Sequence, residues 1–236
     1  MHRAPVAVVN HSLESELMPI YKLDSYVLIV TGKDRYSFIE GLSTNKIEGD
    51  CSTVFTNTAA KIIDHVDVVD KGDFLALVGY SPYKEDLLQH ITKRILGQHV
   101  IIGDATSNNS VFLSTDDVKV EDSVTKSSTW RGWLLIAPAS AKIVANMSEK
   151  DFTEYRIKNM IPHQGHEITP NVHPLACGLG HLVHESKGCY IGQEILARMR
   201  SRGRQGKELV CLPNPVENAT TVGNTHSLAI VRVQSN

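Results

Sequence analysis

Residues 62–78 run Ile-Ile-Asp-His-Val-Asp-Val-Val-Asp-Lys-Gly-Asp-Phe-Leu-Ala-Leu-Val. Residues 62–69 alternate, with Ile63, Val66 and Val68 apolar, which is the period of a half-buried strand. Asp70-Lys71-Gly72-Asp73 supplies turn residues, and residues 74–78 form a second apolar run. Strand, tight turn and returning strand predict an antiparallel hairpin. Upstream, residues 26–31 (Tyr-Val-Leu-Ile-Val-Thr) form a largely β-branched run ended by Gly32 and read as a buried strand. Tyr36, Phe38, Ile39 and Leu42 then recur at helical spacing behind Asp34, a candidate N-terminal cap. Downstream, Ser81-Pro82 opens a helix whose apolar positions are Leu87, Leu88, Ile91, Ile95 and Leu96, with Gly97 as its stop. A short strand is expected at residues 99–102.

Farther out the pattern weakens. Residues 106–128 are rich in Ser, Thr, Asp and Asn and read as loop with weak strands at 111–113 and 118–120. Residues 131–137 predict a strand, and residues 140–146 and 149–159 predict helices, the second capped by Ser148 with Asp151 in its first turn. Glycine and proline interrupt residues 161–180, and the last thirty residues read as short strands and turns. Hairpins mixed with helices, without a regular βαβ alternation, place the chain in the α+β class.

Composition removes several functional classes. The chain has 236 residues, 42% of them apolar and 21% charged, which suits a folded protein of one large domain or two small lobes. Twenty-four Lys and Arg against 26 Asp and Glu give a formal charge of −2, so a broad cationic surface for nucleic acid is not expected. The longest apolar runs are about five residues, far below the ~20 of a membrane helix. The first twenty residues contain Glu14 and Glu16 and no apolar block of signal-peptide kind, so a soluble, cytoplasmic protein is expected. Cys51, Cys177, Cys189 and Cys211 are too few and scattered for a disulfide framework. A phosphate-binding Gly-rich loop and a dinucleotide fingerprint are both absent.

The unusual residues concentrate in Lys187-Gly188-Cys189-Tyr190-Ile191-Gly192-Gln193-Glu194, which leads into Ile195-Leu196-Ala197-Arg198. Gly188 and Gly192 permit a tight turn, and residues 193–199 predict a helix. Cys189 then stands ahead of a helix N-terminus with Lys187 two residues away, and both features favour a thiolate. The alternative is a small buried cysteine in a strand-to-helix turn. Cys177, His181, His184 and Cys189 fall within thirteen residues, but their spacing matches no standard zinc finger, and no metal is assigned. Arg198, Arg200, Arg202, Arg204 and Lys207 place five cations in ten residues. This run is either a solvated face or a loop for phosphate, an acidic protein or polyglutamyl folate. Nucleic acid is the weakest partner, for want of interleaved aromatic residues.

Lys-Gly-Cys-Tyr-x-Gly-Gln-Glu resembles the signature of the YgfZ-type folate-binding proteins, relatives of the glycine-cleavage T-protein (aminomethyltransferase). Val30-Thr31-Gly32-Lys33-Asp34, with Phe38-Ile39-Glu40-Gly41-Leu42-Ser43-Thr44-Asn45, resembles the N-terminal pattern of that family. The 61–78 hairpin and the Arg156-Ile157, Pro162, Gly165, Glu167-Ile168, Pro174 and Gly178-Leu179 series are similar to its later stretches. The likeness runs over approximately residues 23–210. There are departures: Asp64-His65 stands where aminomethyltransferases carry two aspartates, and Pro174-Leu175-Ala176 stands where the family commonly has Pro-x-Glu. The chain also stops soon after Val210, before the larger C-terminal barrel of full-length relatives.

The resemblance implies a T-protein-like folate-binding fold of interleaved lobes, one of them ferredoxin-like, with a shortened C-terminal β segment. Residues 1–207 would form the folate-binding domain and residues 208–236 the remnant of the barrel. It also implies a tetrahydrofolate-binding accessory protein that supports assembly or repair of iron–sulfur proteins, with Cys189 and Lys187 as the working pair. Asp64, Arg156, Tyr190, Gln193, Glu194 and Arg198 would bind tetrahydrofolate or a one-carbon derivative, Arg156 at the glutamate tail. Iron–sulfur clients or assembly proteins would be partners. The competing readings are a folate-dependent aminomethyl or one-carbon transferase with Asp64 orienting the folate, and an interaction module that docks through residues 198–207. On residue pattern alone, Asp64 is as well explained by a strand residue facing water.

Overall fold

The 62–78 hairpin becomes the centre of a five-stranded antiparallel sheet. The computed structural model describes residues 18–203 and 206–233; Glu14, Glu16 and Arg204 lie outside them. In chain order the elements are β1 (Ile20–Leu23), β2 (Ser25–Thr31), α1 (Arg35–Leu42), β3 (Cys51–Thr56), β4 (Ile62–Asp70) and β5 (Leu75–Tyr80). Then follow α2 (Lys84–Thr92), β6 (Ile101–Asp104), β7 (Asn109–Ser114), β8 (Thr125–Thr129), β9 (Gly132–Pro138) and α3 (Glu149–Lys158). The last are α4 (Gln193–Ser201), β10 (Lys207–Pro213), β11 (Thr221–Val222) and β12 (His226–Arg232).

The large sheet has the order β3-β4-β5-β2-β6. Without β3 its connectivity is β-α-β-β-α-β, the ferredoxin-like lobe. A strand exposes alternate residues on its two faces, so one sheet feeds two cores. Tyr26, Leu28, Val66, Val68, Leu75 and Leu77 pack on one face with Phe38 and Ile39 of α1 and Leu87 and Ile91 of α2. Val27, Val69, Ala76 and Val78 pack on the other face against Leu23, Val111, Leu113, Leu134 and Ile136 of a second sheet and Phe152 of α3. Each fully buried aliphatic side chain contributes roughly 1.5–3 kcal/mol of transfer free energy.

The second sheet has the order β1-β7-β9-β8. Because β1 belongs to it while β2 belongs to the first sheet, the chain interleaves the lobes from the outset. A third sheet, β10-β12-β11, is the C-terminal β segment. Leu209 and Leu228 of this sheet pack on Ile157 of α3. Among the described residues no helix is long and apolar enough to cross a membrane.

Several sequence expectations need correction. Residues 140–146 are not helical: the backbone N–H groups of Asn146 and Met147 both donate to Ile20 O, and the Asn146 side chain accepts from Ile20 N–H, so this segment runs along β1. Helix α2 stops at Thr92, where the N–H groups of Arg94 and Ile95 turn to the tighter i−3 carbonyls and Leu96 points into solvent. Asp34 does not cap α1; its carboxylate accepts from His99 N–H at 2.7 Å, tying the turn after β2 to the chain before β6. Within 106–128 the strand expected at 111–113 is β7, whose two faces fill separate cores, while no strand forms at 118–120 and β8 begins instead at Thr125. Ser148 does cap α3, its hydroxyl accepting from Asp151 N–H at 3.1 Å.

Candidate functional site

Strand β4 carries Asp64, His65 and Asp67 into the interior, all at or below 1% exposure. Neighbours in a strand point to opposite faces, so the three acid and imidazole groups face different surroundings. Asp64 lies under Tyr26, whose hydroxyl donates to its Oδ2 at 2.7 Å, and Tyr80 N–H donates to the same oxygen at 3.0 Å. Burial dominates its ionisation and pushes the carboxyl up to about 7, although those donors pull the other way. A buried carboxyl near 7 can both hold and release a proton at neutral pH.

His65 and Asp67 face the turn between β8 and β9. Trp130 Nε1–H donates to His65 Nε2 at 3.3 Å, and the indole stands edge-on between the rings of His65 and His181. Burial, reinforced by Arg131, pushes the His65 imidazole down to about 3, so it is neutral. Asp67 pairs with Arg131 and accepts from Ser52 Oγ at 2.6 Å. Burial alone would raise its carboxyl, but the Arg131 guanidinium, with the Ser52 hydroxyl, outweighs it and holds it below the usual range. Gln164 completes the corner, its Nε2 donating to His65 O at 3.0 Å and reaching Asp64 Oδ1 at 3.5 Å. Gly79, Tyr80, Arg131, His163 and Gln164 line a cavity of about 10 Å³, room for roughly one water. The buried Nε of Arg131 has no hydrogen-bond partner.

No protein-family model matches the chain. Over 130 residues, 55% of the chain, it is 27% identical to the aminomethyltransferase of Moorella thermoacetica. That match spans about a third (32%) of the length of the relative. The crystal structure of glycine cleavage system aminomethyltransferase T from Bartonella henselae superposes with a TM-score of 0.75 at 12% identity. The superposition covers 91% of this chain and 78% of that one. The chain has the T-protein fold.

Within the T-protein frame the expected site residues part company. Asp64 stands in the buried corner. Arg156 does not open onto a ligand space: it is 2% exposed, pairs with Glu167 at 3.2 Å and donates to Thr221 Oγ1 at 3.3 Å. Glu167 also accepts from the hydroxyls of Thr220 and Thr221 at 2.6 Å each, so this pair binds α3 to the third sheet. Lys187 is not a partner of the Cys189 thiol. Its ammonium donates to Glu40 O, Ser43 O and Asn45 O at 2.5, 2.6 and 2.8 Å, closing the C-terminus of α1. The signature stretch thereby meets the Thr44-Asn45 stretch, and Thr44 Oγ1 adds a bond to Leu182 O at 2.7 Å.

Cys189 is exposed. Tyr190 packs among Ala60, Leu175, Val183 and Leu196, while Glu194 and Arg198 form an exposed i,i+4 pair at 2.7 Å. Tyr190 and Gln193 border a surface cleft of about 380 Å³ with His184 and Arg200. Gly192, at φ +86°, lies against Thr56 and Asn57 of the β3–β4 turn, where a Cβ would come within 2.8 Å of both. Cys177 is buried, its thiol pushed up to about 12, and is held by Pro174 O. Sequence reading missed Tyr26, Trp130, Arg131 and Gln164. One signal was available: Asp64 and Asp67 are three apart and so lie on opposite faces of the strand, and a strand covered on even one face had to bury one of them.

The donors at the Asp64 corner suit a heterocycle rich in N–H and carbonyl groups, but the space between them does not. A ligand of folate size needs several hundred cubic ångströms. Asp64 is fully buried, and Trp130 and Arg131 cover the other face of β4, over His65 and Asp67.

Proposed function

We propose that the protein binds a tetrahydrofolate carrying a one-carbon unit at the Asp64 corner and serves folate-dependent one-carbon or aminomethyl transfer. The observation that carries this reading is a buried carboxyl poised near neutrality on the central hairpin of a T-protein fold, in a chain with sequence likeness to an aminomethyltransferase. Asp64 and Gln164 would hold the ligand, which supplies the carbon at its reduced nitrogens. Entry requires that the groups packed on Asp64, Tyr26 and Gln164 among them, move apart. His65 is neutral and held by Trp130, so it does not restore the second negative charge of the aminomethyltransferase pair.

The exposed Cys189 supports a second reading, an accessory protein for iron–sulfur clients. Calorimetric titration with tetrahydrofolate and an aminomethyl-transfer assay separate the two. Binding with transfer supports the first reading. Binding without transfer selects the accessory role, and absence of both defeats the folate proposal.

A further inference from the structure

Tyr26 is fully buried on the helix-covered face of β2, with its hydroxyl on Asp64 Oδ2. That oxygen also takes the Tyr80 N–H. Oδ1 meets Gln164 Nε2 at 3.5 Å, an amide that sits closer to His65 O at 3.0 Å, and the His65 backbone also faces the carboxyl. Oδ2 carries two short hydrogen bonds, while the side-chain contact of Oδ1 is a long one. The arrangement depends on residue 79 having no side chain. Gly79 lies opposite Tyr26 in the β2–β5 register, and a Cβ there would overlap both the Tyr26 hydroxyl and Asp64 Oδ2. Gly79, Tyr80 and Gln164 also wall the water-sized cavity.

We infer that Tyr26 is a positioning residue: with Gly79 making room, its hydroxyl pins Asp64 Oδ2 and leaves Oδ1 as the oxygen that takes and gives the proton. This rests on the reading of the Asp64 corner as the folate site. The groups facing Asp64 are the Tyr26 hydroxyl from β2, the Tyr80 N–H from β5, the Gln164 amide and the backbone of His65, with the Tyr83 phenol sensing its charge. Among the described residues no Lys, Arg or His lies within ion-pair distance of it. Tyr26 itself stays protonated, because burial and the Asp64 charge hold its phenol well above the usual value. A hydrogen bond to a carboxylate favours the charged form, so the strength of the Tyr26 bond tunes the Asp64 midpoint.

The test is the Asp64 titration in the ligand-free protein, read by NMR with carboxyl-labelled aspartate. Tyr26→Phe is expected to raise the midpoint by about one unit, a tenfold gain in proton affinity. Replacing Tyr26 by 3-fluorotyrosine, a stronger donor of the same shape, is expected to lower it. Gly79→Ala, which pushes the hydroxyl off Oδ2, is expected to raise it; if that variant fails to fold, the two Tyr26 replacements still decide. A midpoint unmoved by both reduces Tyr26 to packing and overturns the inference. Because no folate is present, these shifts stand apart from ligand binding. Shifts as expected in a protein that does not bind tetrahydrofolate defeat the proposed function and keep the role of Tyr26.

Discussion

Strand β4 and the segment from 187 to 198 hold most of the chemically unusual side chains, and the fold uses them in opposite ways. On β4, Asp64, His65 and Asp67 are taken fully out of water, and each is displaced from its ordinary ionisation by its neighbours. In the later segment Lys187 and Tyr190 are structural, while Cys189, Glu194 and Arg198 stand in solvent. The more conspicuous motif mainly holds the molecule together, and the plainer strand carries the poised groups. A motif read from sequence names residues that must be kept, without saying whether they are kept for chemistry or for a tie between elements.

The sharpest way to break the contrast is to remove charge from the buried side. Arg131→Ala leaves Asp67 ionised and uncompensated in the interior, and about 3–5 kcal/mol of stability is expected to be lost in urea unfolding. A loss below 1 kcal/mol would show that the pair is not desolvated as described.

The second prediction uses pH. Between the usual carboxyl value of 3.8 and about 7 the folded protein keeps the Asp64 proton while the unfolded chain releases it. The folded state therefore binds more protons, and stability falls as pH rises through that window. Asp64→Asn does not titrate. Its stability advantage over wild type should grow by on the order of 4 kcal/mol from pH 4 to pH 7. Measuring the difference cancels His65, whose depressed imidazole makes the protein lose stability as pH falls below 6.5. A difference independent of pH would contradict the burial of Asp64.

Lys187→Met tests the other side of the comparison. Three carbonyls at the end of α1 lose their donor, and about 2–3 kcal/mol should disappear from the thermal or urea unfolding free energy. An unchanged stability would return Lys187 to the role of a free cation beside the thiol. Cys189→Ser, at an exposed position, is expected to change stability by less than about 0.5 kcal/mol. Mass-spectrometric alkylation should label Cys189 before Cys51 and Cys177, whose thiols burial pushes up to about 12.

Much of this frame was legible in the amino acids. The 62–78 alternation, the Ser81-Pro82 start and the Ser148 cap act over a few residues, so local physics places them. Residues 140–146 and β8 were misread because strand pairing depends on partners that local pattern does not show. The same limit hid the site. Tyr26 lies in a run that reads as apolar strand, Gln164 in a broken loop, and Arg131 in the turn just before β9. Only the antiparallel register brings Tyr26, Gly79 and Asp64 to one point.

Calorimetric titration of tetrahydrofolate into wild type, Asp64→Asn and Cys189→Ser tests most directly that the chemistry lies on β4. The expected result is binding by wild type, equal binding by Cys189→Ser and a loss of at least about tenfold (1.4 kcal/mol) for Asp64→Asn. Equal binding by Asp64→Asn together with loss in Cys189→Ser would move the site to the exposed segment and contradict this assignment.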